Sequence, residues 1–170
     1  MKIISDSINS ENWEETIANS GFSFSDVETF INESYNRGYK AKDEEMKAEL
    51  KNLFTLNMLQ TNQIAEQLII YLNELGIQPL SAYLKIESVF SFSLIFTVNL
   101  NDYISDRLLK AYDWTSDMEM KVNGRNYTID LSFMHGDENV DTESLNSDGF
   151  RFKHKKLNEN AKQEITRTAQ

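Results

Sequence analysis

The stretch SDMEMKVNGRNYTIDLSF, residues 116–133, gathers three carboxylates, Asp117, Glu119 and Asp130, around an Asn-Gly pair at 123 and 124. Asn-Gly between alternating apolar residues is a strong signal for a β-hairpin with a type I′ turn. In that register Val122 faces Arg125, Met120 faces Tyr127 and Met118 faces Ile129, so the apolar side chains share one face. The other face sets Glu119 against Thr128 and Asp117 against Asp130. Like charges directly opposed destabilise a sheet. The pairing therefore calls for a divalent cation, a basic neighbour, a proton shared at raised pKa, or a face wet enough for water to screen it. Three hard oxygen ligands on one face suit Mg²⁺, the ion that phosphoryl transfer uses to neutralise developing charge.

A strand, a helix, a strand carrying acid-x-acid and a third acid on a later strand resemble, over residues 93–133, the core of polymerase-beta-type nucleotidyltransferases. The resemblance implies Mg²⁺ held by Asp117, Glu119 and Asp130 as the catalytic carboxylates. That family also places a Gly-Ser at the end of its first strand, where small residues let backbone amides hold a triphosphate. The matching segment here, FTVNLND, contains neither residue. No P-loop, Gly-x-Gly-x-x-Gly or Gly-x-Ser-x-Gly occurs. The absence of cysteine excludes thiol chemistry, and two histidines, His135 and His154, make a structural zinc site a poor fit. The segment MHGDENVD joins His135, Asp137, Glu138 and Asp141, but without the spacing of an EF-hand.

Charge points to a different class of function. Residues 1–150 hold 11 basic and 25 acidic side chains, whereas 151–170 hold 6 basic and 2 acidic ones. An acidic body repels phosphates, so direct nucleic-acid binding is not expected. No apolar run reaches the roughly 18 residues of a membrane span, and the opening residues do not form a secretory signal, which leads to the expectation of a cytoplasmic protein. The sequence favours a non-enzymatic, acidic protein-binding module of the adaptor, antitoxin or immunity type, taking another protein, plausibly a basic one. The metal-using nucleotidyltransferase-like reading, active or not, is the alternative.

The elements that must position these residues follow from periodicity. A short helix is expected over 10–20, burying Trp13 and Ile17, and a second over 25–37 from a Ser25/Glu28 capping box. A long helix is expected over 43–75, ended by Gly76 with Pro79 beyond. Its apolar stripe includes Met46, Leu50, Phe54, Ile64, Leu68 and Leu72, but Asn57 and Thr61 fall at its centre. Such a pair either sets register in a helix–helix dimer, making Asn57, Thr61, Ile64 and Leu68 candidate interaction residues, or marks a corner between two shorter helices. Alternation predicts strands over 82–89 and 92–99, then a helix capped by Asn101 with Ile104, Leu108 and Tyr112 on one face, ending near Trp114. The hairpin and a strand over 150–154 complete an α+β chain: a helical segment over 1–78, a mostly antiparallel β-β-α-β-β-β unit over 79–156, and a disordered basic tail over 157–170.

Overall fold

The computed structural model of the chain describes residues 13–15, 29, 44–136, 140–155 and 157. Its helices and mixed sheet are those of an α+β protein. Apart from Thr29, the expected helix over 25–37 lies outside the described residues, as do residues 137–139 of the acidic loop and the tail beyond Leu157. Leu157 itself, the expected first residue of the tail, is buried in the core.

Helix α1 runs unbroken from Glu44 to Glu74, 31 residues and about 46 Å at 1.5 Å per residue. It stops as its sequence says it should. Gly76 takes a left-handed φ of 69°, Gly76 N–H donates to Asn73 O at 2.9 Å and Ile77 N–H to Leu72 O at 2.8 Å. This is the paired bonding of a Schellman cap, which a glycine adopts without steric cost. Strands β2 (Ser81–Ile86) and β3 (Ser91–Val98) then form an antiparallel pair from Ser81 opposite Thr97 to Ile86 opposite Phe92.

The next stretch departs from expectation. A single turn, α2 (Leu100–Tyr103), is capped by Asn99, not by Asn101, through Asp102 N–H donating to Asn99 Oδ1 at 2.9 Å. The buried Asp102 carboxylate accepts from Arg107 at 2.6 Å and from Asn99 Nδ2 at 2.7 Å. Helix α3 then continues from Asp106 through Val122, so Asp117 and Glu119 stand on a helix and not on a hairpin strand. The residues that α3 turns to the core include Leu108, Ala111, Thr115, Met118 and Val122, spaced three and four apart, with Trp114 beside them. Met118, Met120 and Val122 also alternate, which is why they read as strand. The earlier part of the 3-4 series decides for helix. Asn123 ends α3 with an extended backbone, and Gly124 is not among the glycines at positive φ, so the type I′ turn does not form.

Strand β4 (Thr128–His135) pairs parallel with β3 from Ser91 opposite Thr128 to Val98 opposite His135. The helical crossover α2–α3 supplies the length that a parallel connection requires. A short helix α4 (Thr142–Ser147) is capped by Asp141, whose Oδ1 accepts from Glu143 N–H and Ser144 N–H. Gly149, at φ 96°, then admits the chain into β5 (Phe150–His154). Strand β5 lies between β2 and a three-residue strand β1 (Trp13–Glu15), giving the order β1-β5-β2-β3-β4. Trp13 therefore belongs to a strand, not to the expected first helix. It pairs with His154, sets its ring edge-on to the imidazole at 5.0 Å and donates from Nε1 to Asn62 Oδ1 on α1. These partners lie far away in sequence, so local spacing could not reveal them.

One face of the sheet carries Leu84, Phe92, Leu94, Phe96, Ile129, Leu131 and Phe133 into a core shared with α1 and α3. The other face is divided. Tyr83, Leu145 and Phe150 form a second cluster under α4, joined by Ile95 and Met134, while the Lys85, Ser91, Ser93 and Asp130 end carries polar side chains.

Candidate functional site

The C-terminal end of α3 meets the first residues of β3 and β4 at an open groove of about 350 Å³. Its lining includes Glu87, Ser91, Ser93, Glu119, Thr128 and Asp130. The structure thus brings Glu119 and Asp130 to one groove, from a helix and a strand. Asp117 is exposed on α3 and does not line it, and Asp130 lies opposite Ser93 of β3, not opposite Asp117. The acid-x-acid strand of the resemblance is therefore not formed. Among the described residues no three of His, Cys, Asp and Glu are grouped to hold a metal ion.

Each groove carboxylate other than Asp130 has a structural occupation. Glu87 is 3.1 Å from Lys85 Nζ and accepts from the Ser91 hydroxyl at 3.1 Å. The Lys85 bond, against a smaller opposing effect of burial, holds its carboxyl below the usual range. Glu119 Oε1 accepts from the backbone N–H of Leu131 at 2.6 Å. Asn123, one helical turn further on, accepts at Oδ1 from Ile129 N–H at 2.8 Å and donates from Nδ2 to Ile129 O at 3.0 Å. Sequence reasoning missed this role because it placed both residues in a hairpin.

The polar pair of α1 also has a role within the chain. Asn57 and Thr61 are buried, and so are Ile64 and Leu68. Asn57 Nδ2 donates to Val89 O and to Asn126 O, each at 2.9 Å. Thr61 donates to Asn57 O at 2.9 Å and lies 3.0 Å from the Tyr127 hydroxyl. Burial pushes the Tyr127 hydroxyl up to about 12, and the Thr61 bond acts in the opposite direction. The helix does not turn a corner there, and within the chain the pair fastens α1 to the loops of its own sheet. The apolar residues that α1 turns outward are Leu56, Leu59 and Ile70.

A second surface was not foreseen. Leu100, Tyr103, Ile104, Leu109 and Tyr112 are exposed along α2 and the first turns of α3, with Ile104 at 72% and Leu109 at 62%. Of the face expected to be apolar and inward, Leu108 alone is buried. Tyr112 packs edge-on against Phe133, with ring centroids 5.0 Å apart. Its hydroxyl is pushed above the usual range by burial and, to a lesser extent, by the neighbouring Tyr103. No family model matches the chain, and no characterised protein or solved structure matches it either.

Proposed function

We propose that the chain is a non-enzymatic protein-binding module that takes a partner with an apolar patch rimmed by basic residues. The observation that carries the reading is the row Leu100, Tyr103, Ile104, Leu109 and Tyr112, exposed on consecutive turns of α2 and α3. Single exposed apolar residues are ordinary, but a contiguous set on a small protein marks an interaction surface. Asp106 and Asp113 lie exposed beside it together with Arg107 and Lys110, and it is the net charge of −10 that favours encounter with a basic surface while disfavouring nucleic acid. The groove carboxylates support the same reading, since Glu87 and Glu119 are held by neighbours and Asp130 is left to meet a cationic side chain. No helix among the described residues is long and apolar enough to cross a membrane.

The test is affinity capture with the wild-type chain and with Ile104→Glu/Leu109→Glu as parallel baits, followed by calorimetry on the purified partner. Wild type should retain a protein with a basic surface, more weakly as salt rises, and the double variant should lose it. Retention of the same proteins by both baits would exclude this surface.

A further inference from the structure

Among the described residues strand β4 is an edge of the sheet, paired on one side with β3. Thr128 N–H donates to Phe90 O and Gly136 N–H to Val98 O, so the even-numbered residues direct their backbone groups toward β3. The odd-numbered ones, Tyr127 to Phe133, direct theirs outward by the alternation of a strand. Such a row is a ready template for another strand, and proteins block it in recognisable ways. Here the block is a comb of groups from α3 and the turn that follows it. Gly124 N–H donates to Tyr127 O at 2.8 Å. The Asn123 amide exchanges both hydrogen bonds with Ile129, copying a hydrogen-bonded residue pair of an antiparallel ladder. Glu119 accepts from Leu131 N–H. Tyr112 reaches Phe133 O at 3.5 Å, the longest of the set. Positions 112, 119 and 123 share one face of α3, seven and four residues apart, and meet β4 in reverse order, so helix and strand run antiparallel along the edge.

We propose that this comb is a guard against a second copy of the chain: Glu119 and Asn123 occupy the outward groups of Ile129 and Leu131 through which two β4 edges would pair antiparallel about a twofold axis. An opened edge would present the outward backbone groups of Ile129, Leu131 and Phe133, whose side chains face the core on one side of the strand. The strand is eight residues long and alternates core-facing apolar residues with Thr128, Asp130 and Ser132, and its regular row of outward backbone groups favours strand pairing once unblocked. The occupant is a second copy because a β4 edge pairs with an identical edge in a closed, self-complementary contact. The guard is independent of the α2–α3 binding surface except for Tyr112, which is left intact in the test.

The experiment compares wild type with Glu119→Ala/Asn123→Ala by sedimentation and by amide hydrogen exchange over a range of concentrations. The double variant should associate further than wild type does at equal concentration. At low concentration its Ile129 and Leu131 amides should exchange roughly fivefold to tenfold faster than in wild type, as expected when a hydrogen bond is lost. Both amides should regain protection in the associated form. Glu119→Gln keeps an acceptor oxygen and should behave as wild type. A double variant with native circular dichroism and wild-type sedimentation would overturn the proposal, as would association that leaves the two amides unprotected. Should the double variant fail to fold, Glu119→Ala alone carries the test: unchanged Leu131 exchange together with unchanged sedimentation would equally overturn it.

Discussion

Helices α1 and α3 both direct polar side chains at the same short segment, residues 123–131, and they do so from opposite positions. Helix α1 approaches from inside. Asn57 and Thr61 are 4% and 0% exposed and bond to Val89 O, Asn126 O and the Tyr127 hydroxyl. Helix α3 approaches along the edge, where Glu119 is half-buried and Asn123 exposed. The segment leads from the end of α3 into the only parallel pairing of the described sheet, and it contains no regular element until Thr128. Side chains therefore supply the partners that its backbone would otherwise take from secondary structure. The difference between the helices lies in solvent. A group removed from α1 leaves the carbonyl of buried Val89 in a dry core, whereas one removed from α3 admits water to the edge.

The comparison breaks most visibly at Asn57. Replacement by Ala removes both bonds of its amide nitrogen, leaves Val89 O without a partner in the core while the carbonyl of exposed Asn126 turns to water, and opens a small cavity against Val89. A loss of about 2–4 kcal/mol is expected from urea unfolding. Glu119→Ala, whose freed Leu131 N–H is accessible to water, should lose about 1 kcal/mol in the same measurement. Equal losses at the two positions would remove the distinction between core and edge.

Tyr127 sharpens the comparison through pH. Its hydroxyl ionises at about 12 in the folded chain against an ordinary value of 10.0, because burial disfavours the phenolate. The unfolded chain thus releases this proton first, and unfolding is favoured as pH rises between the two values. The stability contributed by the neutral hydroxyl is fully present below about pH 10 and is lost through pH 12, about 2–3 kcal/mol in all. Tyr127→Phe should cost about 1 kcal/mol at neutral pH, through the lost Thr61 bond. It should also fall less steeply than wild type when unfolding is followed by circular dichroism between pH 9.5 and 11.5. Parallel pH profiles for the two proteins would show that the hydroxyl is not buried against α1.

Much of the α1 side of this comparison was legible in the sequence. The stripe and the Gly76 stop rest on spacings three to five residues apart, and the same spacing shows Asn57 and Thr61 to be anomalous although their partners Val89, Asn126 and Tyr127 lie far along the chain. The strands over 81–86 and 91–98 rest on alternation. The α3 side was not legible. Met118, Met120 and Val122 fit both periods, and Asn123-Gly124 fits a hairpin turn, so local pattern favoured a strand. What overrides it is a parallel strand pair needing a long crossover, which is a property of the whole sheet. The placement of Trp13 in β1 fails to show for the same reason, since its partners His154 and Asn62 lie far along the chain. For the acidic residues, the sequence brought Glu119 and Asp130 to the same neighbourhood but misassigned the geometry. A carboxylate four residues before an asparagine at a helix end is the signal that could have suggested an edge cap.

Asp130 gives the smallest effect and the cleanest contrast with Glu119. Both carboxylates line the groove, yet Glu119 holds a backbone N–H while Asp130 is exposed. Asp130→Asn removes a charge that touches neither helix, so the change in stability should be no more than about 0.5 kcal/mol. Magnesium or manganese should leave the melting temperature of wild type and of Asp130→Asn unchanged. A cation that bound the folded chain alone would raise it by mass action, but Asp117 does not line the groove and Glu119 already has an oxygen engaged. A metal-dependent rise in wild type that disappears in Asp130→Asn would show that Asp130 and its groove neighbours recruit a cation despite the helical placement of Glu119. The nucleotidyltransferase-like reading would then displace the protein-binding one, and Glu119 would have to exchange its strand-edge bond for a metal bond, which Leu131 amide exchange would report as a loss of protection on adding metal.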